Sequence, residues 1–454
     1  MKDIKCLVFS TLMLLSLVGF AQNRSKVDYF ASNALGNPVT GNAGECYNGV
    51  TYVSYQGPLE DPYVAAYHHK TKTWVGPFKA GTSLMGKNKS RRTDNHGKPT
   101  LVIDSKGYIH IVFGGHSGTP DLGENPLGNY HYGKQIHIVT KNPLDISSWQ
   151  EVDNISPFGT YSQFIKMDKG DLYLFYRHGA HRSNWVYQLS KDDGLTFSDP
   201  VSIIKTKQTT GTKENPVICD SWYLHFSKGK NNDIIATYNY HVCKGPHHDG
   251  ERHNVYYMRF DTNRNECYNV RNQKLILPVT KEEADTMTLI KNTEERWTHN
   301  GIARLDKFGN PHVTSYEGDY EDKKHGGIKT LQHYYWTGQE WKSNNKTRLP
   351  EGARGEMLIN SNNQIKLLLG DTSRKKGDVA WWVSDDNGNS FKKDKVLLKS
   401  KKGKFLLSNF IRNAHPDAKI IVAEKKGNQF VKMYLLGDNG PIYRSKKESE
   451  AVKE

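Results

Sequence analysis

Four side chains stand at matching points of two neighbouring segments, and their types suit moving a proton at carbon. His96 precedes one strand-like run, and His116 ends the next, in Phe113-Gly-Gly-His-Ser-Gly. Tyr161 and Arg177 take the same two places one unit later, in Phe158-Gly-Thr-Tyr-Ser-Gln-Phe and Leu174-Phe-Tyr-Arg-His-Gly. Two glycines ahead of a histidine let the backbone turn sharply and present the ring. The chemistry that suits the set is β-elimination on a uronic acid. An Arg or protonated His beside the carboxylate stabilises the charge that develops when the C5 proton leaves. A His or Tyr takes that proton, and a Tyr or His protonates the leaving glycosidic oxygen. Glycoside hydrolysis would instead call for two carboxylates, and no obvious pair of acids stands at strand ends near these phrases. A sialidase would need three arginines at matching places, which the sequence does not supply.

A second constellation lies at residues 238–257, where His241, Cys243, His247, His248 and His253 fall within thirteen residues. His-x-Cys followed by further histidines is compatible with tetrahedral zinc, although the spacing is not that of a finger. The alternative is a His-rich basic loop that touches a polyanion directly.

The elements that must position these residues show as a recurring phrase. A Gly/Asn/Asp turn leads into an alternating strand rich in β-branched and aromatic residues. It begins at Asn48, Lys106, Lys169, Asn232, Phe308, Asn362 and Asp417, at intervals of roughly 55–75 residues, about the length of a four-stranded blade with its loops. His96–His110 and His299–His312 share His, Asp, Gly and His positions, as an internal repeat would. Ser190–Phe197 and Ser384–Phe391 both read Ser-x-Asp-x-Gly-x-Ser/Thr-aromatic, the Asp box. Its Asp and Ser bond the turn backbone and its Gly takes the awkward dihedral, so Asp192 and Asp386 are expected to be structural. The pattern predicts an all-β chain, a seven-bladed β-propeller of four-stranded antiparallel blades. One domain is expected over residues 27–444, followed by a charged, frayed tail over 445–454.

Residues 1–21 read as a signal peptide: Lys2 and Lys5, an apolar run from Cys6 to Phe20, then Gly19-Phe20-Ala21 at the cleavage site. The run is short for a membrane span, so a secreted protein is expected, with no membrane partner. The whole chain carries a formal charge of +15. Lys2, Lys5 and Asp3 account for a net +1 of it, leaving +14 without the leader. Such a basic exported protein suits an acidic polysaccharide, and no nucleic-acid-binding motif appears. Lys87, Lys89, Arg91 and Arg92, just ahead of His96, suit sulfate groups at a rim. Cys46, Cys219, Cys243 and Cys267 are too few for a disulfide scaffold; they allow one bridge, with Cys219–Cys267 the candidate pair.

The Gly-Gly-His phrase, Thr-Tyr-Ser-Gln with Leu-Phe-Tyr-Arg, the Asp boxes and the Tyr240–His253 stretch together resemble the ulvan lyases of polysaccharide lyase family 25, relatives of family 24. The resemblance runs over most of the chain and is densest from His96 to Tyr257. It implies a propeller that cleaves ulvan, a sulfated polysaccharide of rhamnose and uronic acids, leaving an unsaturated uronyl end. By motif, His96 and His116 match the active-site histidines, Tyr161 the catalytic tyrosine and Arg177 the carboxylate-neutralising arginine. Tyr223, in Ser221-Trp-Tyr-Leu-His, matches a further active-site tyrosine, with Tyr240 its rival. Proton transfer is assigned to His116 and Tyr161, base and acid undivided, with His96 and Arg177 on the carboxylate. Asn95, His178 and Arg182 are expected at sugar subsites. The resemblance also implies a structural zinc on His241, Cys243 and His253, with His248 preferred as fourth ligand. No organic cofactor is expected, and a monomer is. The competing reading is a propeller that binds acidic polysaccharide without cleaving it.

Overall fold

The computed structural model describes residues 26–35, 42–85, 94, 96–207, 218–244, 251–293, 296–319, 329–344, 347, 349–370, 377–399, 404–425 and 430–450. The leader, the Lys87–Arg92 run, Asn95, His247 and His248 lie outside these residues, as does the side chain of Cys243. Among the described residues, no helix is long and apolar enough to cross a membrane.

Antiparallel strands follow one another in groups of four. The first group is Gly44–Tyr47, Val50–Gln56, Pro62–His68 and Thr73–Lys79; the second is Thr100–Ile103, Ile109–His116, Tyr132–Thr140 and Trp149–Val152. The third is Thr160–Lys166, Leu172–Arg177, Trp185–Ser190 and Val201–Ile204. The fourth is Ile218–Lys228, Asp233–Lys244, Arg252–Asp261 and Glu266–Tyr268, with Leu289–Lys291 added beside Arg252–Asp261. The fifth is Trp297–Leu305, Pro311–Gly318, Thr330–Trp336 and Trp341–Asn344, and the sixth Arg354–Ile359, Ile365–Gly370, Asp378–Ser384 and Lys392–Lys399. A closing group, Lys404–His415, Ala418–Lys425 and Phe430–Gly437, takes its outer strand, Ala31–Leu35, from the other end of the chain. It meets the first group through one parallel pair, Arg412 opposite Glu45. The recurring phrase is in every case the second strand of its group. Its polar turn is the hairpin bend, and its alternating apolar residues face the neighbouring groups on both sides.

Aromatic side chains fill the spaces between groups. Phe175 of the third stacks on Phe226 of the fourth at 3.9 Å between centroids. The Trp185 indole N–H crosses the same gap to donate to the Trp222 carbonyl (2.7 Å).

Both Asp boxes form as expected. The Ser190 hydroxyl donates to Asp192 (2.8 Å) and accepts from the Gly194 N–H (2.8 Å), and Asp192 accepts from the Thr196 N–H (3.0 Å) and hydroxyl (2.6 Å). Ser384, Asp386, Gly388 and Ser390 repeat the pattern. Each box docks on a buried histidine pair of the preceding group. His110 Nδ1 lies 3.0 Å from His137 Nε2, and Asn154 ties His137 (2.7 Å) to the Gly194 carbonyl (2.8 Å). His312 and His333 repeat the 3.0 Å contact, and Asn344 donates to the Asn387 carbonyl (3.0 Å). The closing histidine of each repeated phrase, His110 and His312, is thus half of a latch between groups.

Two expectations are corrected. Cys267 is a buried free thiol. It cannot reach Cys219, because their strands are the two outer members of one four-stranded group, with two strands between them at ~4.8 Å spacing. The tail is not frayed from residue 445. Arg444–Ser445 pairs with Lys26–Val27, and the helix Lys446–Glu450 is held where the Tyr29 hydroxyl donates to Glu450 (2.9 Å) and Ser449 donates to the Tyr29 carbonyl (2.9 Å).

The latch histidines carry a pH signature. Burial lowers His137 and His333 from 6.5 to about 3. Between about pH 6.5 and 3 the unfolded chain therefore binds protons that the folded chain refuses, and stability falls as pH falls through that window. The melting temperature should drop steadily on acidification from pH 7, and His137→Gln with His333→Gln should flatten the slope. An unchanged slope in the double variant would refute a latch of neutral rings.

Candidate active site

Asp94 is the hub of the site. Its backbone N–H donates to Glu60 (2.7 Å) and its carbonyl accepts from Gln56 (3.0 Å), which fixes it beside the first group. One carboxylate oxygen accepts from the backbone N–H (2.7 Å) and ring Nδ1 (2.5 Å) of His96. The other accepts from His116 Nδ1 (2.8 Å) and from the Tyr132 hydroxyl. Burial opposes the charge, but hydrogen bonds from His116 and His96 outweigh it and hold the carboxyl well below the usual range. Burial keeps both rings neutral: it lowers His96 and takes His116 down to about 4, despite Asp94. With each Nδ1 donating to Asp94, each Nε2 is left with its lone pair.

The glycines ahead of His116 do what their type suggests. Gly114 and Gly115 have φ of 72° and 70°, and a Cβ on Gly115 would sit 2.5 Å from the Gly159 carbonyl oxygen. The turn brings His116 flat against His96, with centroids 3.8 Å apart. Tyr161 also has a left-handed backbone, φ 61°, a strained state for a side chain of this size. Its N–H donates to the His96 carbonyl (3.1 Å), and its ring lies 4.9 Å from that of His96.

These residues border a cavity of about 450 Å³ at the meeting of several groups. His96, Tyr161 and Tyr223 line it, with the two tyrosine rings 5.7 Å apart. Arg177 is fully buried beneath them, its guanidinium 5.0 Å from the Tyr161 centroid and 5.6 Å from that of Tyr223. It donates to Ser221 (3.2 Å) and the Gly179 carbonyl (3.3 Å), and its Nη2 has no partner among the described residues. A buried cation with one donor unspent holds a positive field under the cavity floor. Burial and the neighbouring Tyr223 push the Tyr161 phenol up, although Arg177 opposes this, so the phenol is neutral.

Comparison with known proteins bears on this geometry. Residues 126–349 match a BNR repeat-containing family model. The chain is 52% identical over 444 residues to an ulvan lyase of Nonlabens ulvanivorans, covering 95% of this chain and 93% of that one. It is 47% identical over 438 residues to an ulvan lyase of Alteromonas sp. (strain LOR), covering 93% and 89%. A solved family 25 ulvan lyase with -[GlcA(1-4)Rha3S]- bound superposes with a TM-score of 0.89 at 45% identity, covering 94% of this chain and 100% of that one. The chain belongs to the ulvan lyases of polysaccharide lyase family 25.

In this family member the structure brings His96, His116, Tyr161, Arg177 and Tyr223 together. His96 lines the cavity, whereas His116 is 7% exposed and stands behind it. Tyr240, the rival of Tyr223, packs on Trp222 at 5.0 Å instead. His178 does not reach the cavity: it is buried, Asn125 (2.7 Å) and Ser156 (3.0 Å) occupy its ring nitrogens, and it secures a loop rather than a sugar. Arg182 anchors the same region through its backbone N–H to Asn129 (3.1 Å), and it too is not among the cavity-lining residues.

Of the expected zinc ligands, His241 and His253 are described, whereas His248 and the side chain of Cys243 lie outside the described residues. His253 pairs across with Tyr240, and Arg252 with His241, which puts His253 on the other face. Among the described residues, three donors do not converge on His241.

Asp94, Tyr132, Arg252, His299 and Arg354 were not singled out by sequence. His299 carried a signal, since it begins the repeat that matches the His96 phrase; Asp94 carried only its place two residues before a histidine.

Asp94→Asn should expose the dependence on this carboxylate. An amide N–H₂ facing one Nδ1 forces that ring into the other tautomer and puts a hydrogen on its Nε2. The expected result is a fall in kcat of roughly 100-fold or more, KM nearly unchanged and the fold intact by melting. A variant with wild-type kcat would show that Asp94 does not set the tautomers.

Proposed function

We propose that the protein is a secreted lyase with a seven-bladed propeller that cleaves ulvan by β-elimination at the uronic acid. The blade count is supported by the recurring phrase taking the second-strand place in each group, and secretion by the leader-like first 21 residues. The observation that carries the chemistry is a neutral imidazole and a neutral phenol, His96 and Tyr161, side by side on one cavity wall over the buried Arg177.

The step balances as follows. His96 Nε2 takes the C5 proton of the uronate, and the electron pair forms the C4–C5 double bond. The C4–O bond breaks, and the Tyr161 hydroxyl gives its proton to the leaving oxygen. Arg177 steadies the charge that spreads onto the carboxylate. The base is thus His96 rather than the expected His116, because His96 is the one on the wall, and His116 buttresses Asp94 behind it.

The reading includes a structural zinc at His241 and Cys243, outside the proton-transfer path. Elemental analysis should give close to one zinc per chain, and chelation should lower the melting temperature; protein purified without zinc and equally stable would remove the metal.

Absorbance at the unsaturated-uronate band should rise with ulvan and stay flat for Tyr161→Phe and His96→Ala. Protonating His96 removes the base, so activity falls as pH falls, and because burial lowers that ring the acid limb should lie below pH 6.5. A folded protein that binds ulvan without any rise would establish the binding propeller instead.

A further inference from the structure

A cluster of metal-binding side chains stands where the closing group meets the first, away from the cavity. His69 follows the third strand of the first group, Pro62–His68. His415 ends the first strand of the closing group, Lys404–His415, and Asp417 lies in the turn after it. The three come from opposite ends of the chain, yet one ligand atom from each lies within 4.8 Å of the other two. Among the described residues, the one strand pairing across this seam is Arg412 opposite Glu45, and the same two side chains form an ion pair at 3.2 Å.

His69 is prepared as a ligand. Its backbone N–H donates to the Gly49 carbonyl (3.0 Å), which fixes it at the hairpin bend. Its ring Nε2 lies 2.8 Å from the hydroxyl of Thr51, a fully buried residue. Its Nδ1 is also buried and has no hydrogen-bond partner. With Nε2–H donating to Thr51, the lone pair is left on Nδ1. Metal-bound histidines have this form, the far nitrogen held by a hydrogen bond that sets the tautomer. Burial and the neighbouring His415 hold His69 below its usual value, so the ring stays neutral, as ligation requires.

His415 and Asp417 are the adjustable half. The two rings stack, with centroids 3.7 Å and planes 23° apart. Lone pairs of stacked rings run side by side, so one ring must turn for both to reach one ion. His415 has the freedom to do so, being half-buried at a strand end. Its Nδ1 accepts from the Asp417 N–H (3.1 Å), a bond that an ion would replace. An Asp417 carboxylate oxygen stands 3.7 Å from the same nitrogen and is exposed to solvent.

Two imidazoles and a carboxylate suit zinc and the neighbouring divalent transition metals, whereas magnesium and calcium call for a shell of oxygens. We propose that His69, His415 and Asp417 bind a divalent transition metal that clasps the first group to the closing group. The site is distinct from a zinc at His241, which lies on the fourth group. It is also remote from the reacting groups. In the strand Val50–Gln56, Gln56 holds Asp94 at one end and Val50 pairs with His68 at the other, roughly 20 Å away.

The test is a calorimetric titration of the full protein, dialysed without chelator so that metal held elsewhere stays in place. Zinc chloride and nickel chloride should each show one further equivalent bound, and magnesium chloride none. At about 100 times Kd the ion should raise the melting temperature by about 3 °C, because only the folded chain brings the ligands together. His415→Ala should remove both the further equivalent and the shift. Asp417→Asn, at an exposed turn, should weaken binding about tenfold. No further equivalent in the wild-type protein would overturn the proposal. So would one that persists in His415→Ala, since the ion would then sit elsewhere; Asp94, His96 and His116 are the other donors close enough to take it. If His415→Ala is too unstable to titrate, Asp417→Asn decides, and wild-type affinity in that variant would overturn the site.

Discussion

The Asp94 carboxylate is buried, yet hydrogen bonds from two histidines and a tyrosine hold it as an anion. The rest of the site depends on that arrangement. An uncompensated buried carboxylate would take up a proton, and a protonated Asp94 has no use for two donating Nδ1 atoms. With the charge kept, both imidazoles are fixed in one tautomer and in plane-to-plane contact, and Tyr161 is anchored by its N–H to the His96 carbonyl. The elements that hold Asp94 come from the first group, whereas His116 and Tyr132 come from the second and Tyr161 from the third. The constellation therefore exists only when neighbouring groups are packed in register.

That register is set far from the cavity by paired devices. Each Asp box closes its own hairpin with its Ser and Asp, then presses a glycine against a histidine pair in the group before it. A Cβ on Gly194 would lie 2.6 Å from the His110 ring, and one on Gly388 2.4 Å from His333. Glycine is required at both places for its positive φ and for the space. Neutral, buried histidines make good spacers here because one ring donates what the other accepts, and the asparagine finishes the chain at the turn carbonyl. The same residue type thus serves as a packed polar strut at His110 and as a chemical group at His116, a few residues along one strand.

Strand order and the Asp boxes were legible because they are local: a turn, an alternation and a short hydrogen-bonding motif lie within ten residues of one another. The matched His96, His116, Tyr161 and Arg177 were legible for the same reason, since repeat units place equivalent residues at equivalent heights. Properties set across groups were not. His178 follows directly after Arg177, yet the loop turns it into the gap between strands, where Asn125 and Ser156 take both nitrogens. His253 looked close to His241 in sequence, but a register shift in the strand pairing places Arg252, not His253, on its face. Cys219 and Cys267 looked equally available for a bridge, and only the strand order shows them at opposite edges. Asp94 also meets His116, 22 residues on, and Arg354 packs over Tyr316 of a neighbouring group, contacts that no local pattern encodes.

Around His96 and Tyr161 the cavity wall carries a neutral imidazole and a neutral phenol beside Lys98, with the charges of Asp94 and Arg177 held behind them. Past Tyr223 the wall itself is cationic. Neutral groups can exchange protons without first losing or gaining charge, and a buried cation below them offers a fixed field to an anion seated above. The strained Tyr161 backbone stands between the two stretches, its ring touching His96 on one side and Tyr223 on the other. Any change that relaxes that dihedral moves the phenol relative to both rings.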